Sequence, residues 1–434
     1  MTPVRIGIIG SGNVGSGTLE ILASNATELS SKLGFQLVVT AVSSQNILSK
    51  SASSFPAGAR ITDRWTDVVH AQDVDIVCEL IGGTTTALEV IEACLKAGKP
   101  VVTANKELMA LQGSRLIDLA TRNGTTIHME ASVAGGIPIH AVLREGIPAD
   151  SIQAFFGILN GTSNYILTEI EAKSSAFDDV LAEAQRLGYA EADPTADVEG
   201  YDARSKLALL SQIAFGQHVN PREIYCEGIR RITPFDFQYA HTLGHTIRLI
   251  CAARATPKGL ALSVRPALIP KSTILASVLG AYNAIWVKGA AGQDTFYYGR
   301  GAGALPTGVA VVSDIMRAAR DLKSGASLRV SSFSFQTLKS LPLASSDDFT
   351  SGYYLRFRVK DATGIIATLG KILADNGISI DAVLQLPSDD KANLPFVITV
   401  EPAREDAIRK ALADMSALDF LVEAPLALPL EKGL

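Results

Sequence analysis

"VRIGIIGSGNVG", from Val4 to Gly15, decides the fold. Its apolar half, rich in branched side chains, reads as a buried strand. The strand breaks into Gly10, Gly12 and Gly15, the pattern G-x-G-x-x-G, and "LEILASNATELSSKL" then reads as a helix. The three glycines alone are a weak signal. Placed between a strand and a helix, they point to a dinucleotide site. Glycine permits the tight turn and the close approach of backbone to phosphate, and the helix N-terminus receives the pyrophosphate.

The same alternation continues outward. "FQLVVTAVS", "DIVCELIGG", "KPVVTANK" and "TTIHMEAS" read as strands, while "TALEVIEACLKAG" and "ELMALQGSRLIDLATRNG" read as helices ending near glycine. Strands with continuous apolar runs, alternating with helices, predict an α/β fold with a doubly wound parallel sheet of Rossmann type. We place this domain at residues 1–138, completed by a returning helix at about 303–325. Residues 139–302 read as a second, mixed α+β domain, with helices such as "YDARSKLALLSQIAFG" and strands such as "TIRLICAARAT" and "LALSVRPALI". Polar residues in 326–350 read as a linker. Residues 351–430 then spell β-α-β-β-α and a last strand in "DFLVEAPLAL", a ferredoxin-like unit.

The chain has 434 residues, 47% of them hydrophobic and 19% charged, the profile of a globular protein. Its net charge of -5 argues against nucleic acid as the main partner. No apolar run reaches the ~18 residues of a membrane span. The chain opens directly on strand and turn, so no signal peptide is expected. The four cysteines lack metal-like spacing and suit reduced core thiols in the cytoplasm.

Polar residues mark the candidate sites. The second strand ends in "TAVSSQN", with Ser43 and Ser44 where an NAD-specific protein places an acid, and Lys50 is the first base after it. That permits NADP without excluding NAD. Lys106, in "TANKE", falls at the carboxyl edge of the sheet, where ligands bind, although a lysine opening a helix is also an ordinary surface residue. In "EASVAGGIP", Glu130 with inward-turned carbonyls reads as an oxygen cage for a hard cation, or the glycines read as a hinge. "GYAEADPTADVEGYDARSKL", Gly188 to Leu207, gathers five acids and two bases. Within it Asp202 and Lys206 are spaced i, i+4, and their row continues through Leu209, Leu210 and Ile213. The charged pair therefore heads an apolar row, and a lysine facing inward beside a carboxylate is equipped for proton transfer.

"GKPVVTANKELMA", "EASVAGGIPI", "GILNGTSNYILTEI", "GYAEADPTADVEGYDARSKLALLSQIAFG" and "RGAGALPTG" occur in the order in which similar motifs occur in the homoserine dehydrogenase family. The tail, with "YYLRFRVKDATGIIA" and "NGISIDAVLQ", resembles an ACT domain, and the whole resembles the monofunctional form. The resemblance implies reversible, NAD(P)-dependent reduction of L-aspartate 4-semialdehyde to L-homoserine, within threonine, methionine and isoleucine biosynthesis. It implies Lys206 as the proton-transfer lysine and Asp202 as its partner. Glu191 would hold the substrate ammonium, with Asp197 an accessory acid and Lys106 shared between substrate and cofactor. Cofactor contacts are implied for Gly10, Gly12, Asn13, Val14, Gly15, Thr103, Gly188 and Gly303. A structural sodium ion is implied at Glu130, Val133, Gly135 and Ile137. A cytoplasmic homodimer or homotetramer, with an amino-acid effector at the ACT domain, is also implied. The residues themselves leave a rival: a non-catalytic dinucleotide-binding amino-acid sensor, which would not need Asp202 and Lys206 in register with Glu191. A second rival is a dehydrogenase that deaminates its substrate.

Overall fold

The computed structural model describes residues 2–45, 47, 55–325, 332–335, 337–387, 389–431 and 433. The chain forms two compact units. The first comprises residues 1–153, 205–223 and 283–341, the second 154–204, 224–282 and 342–434.

The first unit holds a parallel sheet of β1 (Val4–Ile9), β2 (Leu37–Ser43), β3 (Arg60–Thr62), β4 (Ile76–Glu79), β5 (Val101–Thr103) and β6 (Ile127–His128), in the order β3-β2-β1-β4-β5-β6. All strand pairs are parallel, as the unbroken apolar runs require. The helices are α1 (Asn13–Ser24), α2 (Ala26–Leu33), α3 (Thr66–Val69), α4 (Thr86–Lys96) and α5 (Lys106–Arg122). The segment expected as one helix after the glycine turn is two, because the chain breaks at Asn25, whose N–H still closes α1 on the Ile21 carbonyl at 3.0 Å. After β6 come a short turn and α6 (Ile139–Ala141), and then β7 (Ile152–Ile158), which belongs to the second unit from Ala154 on.

The second unit contains α7 (Gly161–Lys173), α8 (Phe177–Arg186) and α9 (Thr195–Val198). It also supplies the first turn of α10 (Tyr201–Phe215), whose remainder belongs to the first unit. There follow β8 (Tyr225–Cys226), α11 (Pro234–Thr242) and the long hairpin β9 (His245–Thr256) and β10 (Gly259–Pro270). The strands β11 (Tyr282–Gly289) and β12 (Asp294–Arg300) and the returning helix α12 (Ala304–Ser324) count with the first unit, apart from Tyr282. There α12 lies so close to α1 that a Cβ on Gly17 would sit 2.2 Å from the Ala304 carbonyl oxygen. Only glycine permits that approach.

The C-terminal region runs β13 (Thr350–Val359), α13 (Ile365–Asp375), β14 (Ile380–Leu384), β15 (Leu394–Arg404), α14 (Glu405–Met415) and β16 (Leu426–Leu430). This is the expected ferredoxin-like order, although the last strand starts later than "DFLVEAPLAL" suggested. Its strands are not a separate sheet. In the second unit the order is β7-β9-β10-β16-β13-β15-β14, with β8 beside β10. β16 pairs antiparallel with β13 and parallel with β10, and the Glu431 N–H donates to the Leu268 carbonyl at 2.9 Å. Two buried ion pairs reinforce the seam: Arg356–Asp236 at 2.5 Å and Arg265–Glu405 at 2.6 Å. Of the stretch read as a linker, residues 326–331 and 336 lie outside the described residues. Its final part is anchored, since Asp348 pairs with Lys258 at 3.0 Å and with Arg404 at 3.1 Å.

Among the described residues no helix is long and apolar enough to cross a membrane. All four cysteines are free, and three are buried. Burial pushes the thiols of Cys94 and Cys226 up to about 12 and about 11, which suits inert core residues.

Candidate active site

The three glycines of the opening motif do three different things. Gly10 has φ +104, and a Cβ there would meet the Leu80 carbonyl at 2.5 Å, so the turn requires glycine. Gly12 faces open space, with nothing within 4 Å of where its Cβ would be. Gly15 lets α1 pack against the turn, since a Cβ there would sit 2.1 Å from the Gly10 oxygen. That division is what a dinucleotide turn needs: bend, ligand approach and helix packing. Asn13 and Val14 open α1 behind Gly12, which caps it.

A cleft of about 310 Å³ lies over this turn, between the ends of β1, β2 and β4. Gly10, Gly12, Ser43 and Ser44 line it, together with Asp63 and Trp65, which the sequence did not single out. Its lining contains no lysine or arginine among the described residues, and Lys50 falls outside them. Lys106, Gly188 and Gly303 do not line this cleft. Lys106 opens α5, Gly188 follows α8 with φ +77, and Gly303 caps α12 with φ +127.

Glu79 organises the cleft floor. It ends β4 and is fully buried. One carboxylate oxygen accepts the N–H groups of Ile81 and Gly82 at 2.9 and 3.2 Å, and the other accepts the Thr103 hydroxyl at 2.7 Å. The Thr103 hydroxyl in turn accepts the Asn105 N–H at 3.0 Å, and Asn105 caps α5 by accepting from Leu108. One acid thus holds the loop after β4 and the start of α5. Replacing it with alanine removes the acceptor of three hydrogen bonds, one of them from the buried Thr103 hydroxyl. We expect Glu79→Ala to lower stability by ~1–3 kcal/mol or more and to weaken dinucleotide binding, read by thermal melting and by NADPH fluorescence titration. Only the position of Glu79, an acid closing an apolar strand, hinted at this role.

The second constellation is built on α7 and α10. Asn160 ends the chain after β7 and caps α7, its Oδ1 accepting the Ser163 N–H at 2.8 Å. That bond fixes the amide orientation, so Nδ2 must face the other way. Nδ2 donates to Asp197 at 2.6 Å and to Asp202 at 2.8 Å. Two carboxylates 5 residues apart in sequence therefore share one amide. Asp202 and Lys206 are each 8% exposed, and Leu209, Leu210 and Ile213 below them are buried. The row points inward, as the spacing predicted. Glu191 lies on an exposed loop, where the Gln185 amide donates to the carbonyls of Glu191 and Ala192 at 3.1 and 3.3 Å. Asn160 was not singled out from the sequence, although an asparagine between a strand and a helix is a capping signal.

Burial holds His128 and His140 down to about 3, so both rings are neutral at physiological pH.

In the first unit, Glu130 is 4% exposed, and its carboxylate accepts the N–H groups of His140 at 2.9 Å and Ala141 at 2.8 Å. Its own N–H donates to Asp314 at 2.7 Å. Burial, then the charge of Asp314, pushes the Glu130 carboxyl up to about 7, and burial pushes Asp314 up to about 6. A bound cation would compensate two such neighbouring acids. Ala134 and Gly135, with φ 57 and 41, turn the backbone between Val133 and Ile137. Asp314 also pairs with Arg317 at 3.0 Å, and the Ile137 carbonyl accepts the Ile139 N–H at 2.8 Å. No group of three or more His, Cys, Asp or Glu that could hold a metal occurs among the described residues.

Comparison with known proteins agrees with this architecture. Residues 138–316 match the family model described as homoserine dehydrogenase, residues 10–130 that of its NAD-binding domain, and residues 353–420 the ACT domain. The homoserine dehydrogenase of Neisseria gonorrhoeae is 42% identical, covering 99% of this chain and 98% of that one. That of Pseudomonas aeruginosa is 40% identical, covering 96% of each. A crystal structure of a homoserine dehydrogenase from Thiobacillus denitrificans superposes with a TM-score of 0.93 at 42% identity, covering 99% of both chains. A hyperthermophilic archaeal homoserine dehydrogenase in complex with NADPH matches with a TM-score of 0.63 at 25% identity, covering 78% of this chain and all of that one. By full-length likeness as well as by its domains, the chain belongs to the homoserine dehydrogenase family, NAD(P)-dependent oxidoreductases that interconvert L-aspartate 4-semialdehyde and L-homoserine.

Proposed function

We propose that Lys206 is the general acid of this reaction and that Asp202, Asp197 and Glu191 form the polar surround of the amino-acid substrate. The observation that supports it best is the Asn160 amide holding Asp197 and Asp202 together at the head of the inward row that carries Lys206. The nicotinamide supplies the hydride. As it reaches the aldehyde carbon, negative charge develops on the carbonyl oxygen. Lys206 stabilises that charge and donates the proton; in the reverse direction it accepts the hydroxyl proton in its neutral form. Glu191 attracts the substrate ammonium, and Lys106 serves both substrate and cofactor. Thr103, Gly188 and Gly303 contribute to cofactor binding beside Gly10, Gly12, Asn13, Val14 and Gly15. The test is NADP reduction by L-homoserine against L-amino acids of similar size. A chain that oxidises the amino acids with release of ammonia, and leaves homoserine untouched, would belong to the deaminating class.

Both dinucleotides are expected to serve. No acid ends β2 to repel a 2′-phosphate, since Ser43 and Ser44 stand there. Asp63 in the cleft lining, with no basic residue among the described lining residues, weighs against a strong bias to NADP. Comparing kcat/KM for NADPH and NADH should show a modest ratio. A ~100-fold preference for NADH, about 2.7 kcal/mol, would contradict this reading.

Sodium at Glu130, with the carbonyls of Val133, Gly135 and Ile137, is proposed as a structural ion, since a lysine already stabilises the developing oxyanion. Sodium titrated into cation-free protein should raise its melting temperature; no change would discard the site. The biological setting proposed is a cytoplasmic homodimer or homotetramer in threonine, methionine and isoleucine biosynthesis. An amino-acid effector acts at the ACT domain.

A further inference from the structure

The stretch "NGTSNYILT", Asn160 to Thr168, opens α7 with a polar row. Asn160, Asn164 and Thr168 recur every four residues and so line one face of the helix. Asn160 is 4% exposed, and Ser163 and Asn164 are fully buried. Buried amides are costly unless they find partners, and these find them on other segments. The Asn164 Nδ2 donates to the carbonyl oxygens of Val278 and Gly280 at 3.1 and 2.8 Å. The Thr168 hydroxyl accepts the Gly280 N–H at 3.2 Å and donates to the Asn164 carbonyl at 2.7 Å. A Cβ on Gly161 would lie 3.0 Å from the Ala281 oxygen. The chain over 278–282 therefore grips the first two turns of α7, and rotating the helix by one residue would break these bonds.

Asn160, at the head of the row, is locked in turn. Its Oδ1 accepts both the N–H and the hydroxyl of Ser163, each at 2.8 Å. Nδ2 then has one direction left, toward Asp197 at 2.6 Å and Asp202 at 2.8 Å. Those acids sit on different helices, α9 and α10, joined through Gly200 at φ +79. Two carboxylates at one nitrogen repel each other, and a donor shared between them offsets that repulsion and sets their spacing. A helix anchored along its length thus ends in one amide that fixes two acids.

We propose that Asn160 is a positioning residue for this reaction. It acts through Asp197 and Asp202, holding the first for the substrate ammonium and the second one helical turn ahead of Lys206, while Asn164 and Thr168 hold the helix that carries it. The inference rests on the roles proposed for the two acids.

Asn160→Ser keeps a good helix cap and removes the amide donor. In the full chain it should lower kcat/KM for L-homoserine at least tenfold, through both a higher KM and a lower kcat, and leave NADPH binding within about twofold. Asn160→Asp keeps the shape and the cap but turns a third carboxylate on the pair, and it should fall further. Coupling separates positioning from capping. In an Asp197→Asn/Asp202→Asn background, Asn160→Ser should cost no more than about twofold, because the groups it acts through are already changed. A merely structural cap would cost the same factor in both backgrounds, and that result would overturn the proposal. So would an Asn160→Ser chain within about threefold of wild type, or Asn160→Asp turning over faster than Asn160→Ser. If the two acid variants are themselves silent, the roles proposed for Asp197 and Asp202 fail and this inference falls with them. If they lose activity but Asn160→Ser is uncoupled from them, this inference fails alone.

Discussion

Lys206→Ala is expected to lower turnover ~10²–10⁴-fold in both directions, the usual cost of losing a positioned general acid, while NADPH binding stays near normal. The expectation follows from where the residue sits. Lys206 is 8% exposed, one helical turn after Asp202, above the buried Leu209, Leu210 and Ile213. The dinucleotide turn at Gly10 to Gly15 is built from other residues, so removing the ammonium should not disturb it. Lys206→Arg should not restore the rate, because arginine keeps the charge yet effectively never gives up its proton. Asp202→Asn should fall less far. It keeps a polar group beside Asn160 and leaves the proton donor in place. Turnover above about a tenth of wild type in Lys206→Ala, well outside that range, would move the role to Lys106.

The second large effect concerns the seam between the ACT and catalytic strands. Asp236 is fully buried and Arg356 is 3% exposed. Asp236 also accepts the Tyr354 hydroxyl at 3.0 Å and the Thr233 N–H at 2.8 Å. Arg356→Ala leaves that carboxylate buried without its cation. Breaking such a pair from one side costs ~3–5 kcal/mol, a large share of the ~5–15 kcal/mol that holds a typical protein folded. We therefore expect a sharply lower melting temperature or insoluble protein. Arg356→Met with Asp236→Leu, which removes both charges, should recover much of the loss. The same contacts bear on truncation. Read as a sequence, the tail is a detachable module, and a chain ending near residue 345 should keep turnover. In the structure that cut removes β16 and exposes the edge of β10, a template for aggregation. The truncated chain is expected to fold poorly. Full activity and solubility of that chain would show that the seam is dispensable.

How much was legible depended on whether a feature is periodic. The parallel sheet, the glycine turn and the inward row of Asp202 and Lys206 all announce themselves through spacing along one element. Glu79 and Asn160 do not. Each is a single polar residue at a strand end, and its partners lie 2–24 and 3–42 residues away. The pairing of β16 with β10 was hidden for the same reason, because an apolar strand carries no mark of which edge it will join. Asp63 and Trp65 reach the dinucleotide cleft from beyond a short β3 that the apolar pattern missed, since its three residues are largely exposed.

The most direct test of the central claim is to follow the hydride. Full-length protein is supplied with NADPH carrying deuterium at C4 of the nicotinamide, on whichever face proves reactive, and with L-aspartate 4-semialdehyde. The product is read by mass spectrometry and NMR. The expected product is L-homoserine with one deuterium at C4, formed without any requirement for ammonia, and no comparable oxidation of NADPH by 2-oxo acids plus ammonia is expected. Deuterium appearing instead at Cα of an amino acid made from a 2-oxo acid, or no transfer to the semialdehyde at all, would contradict it.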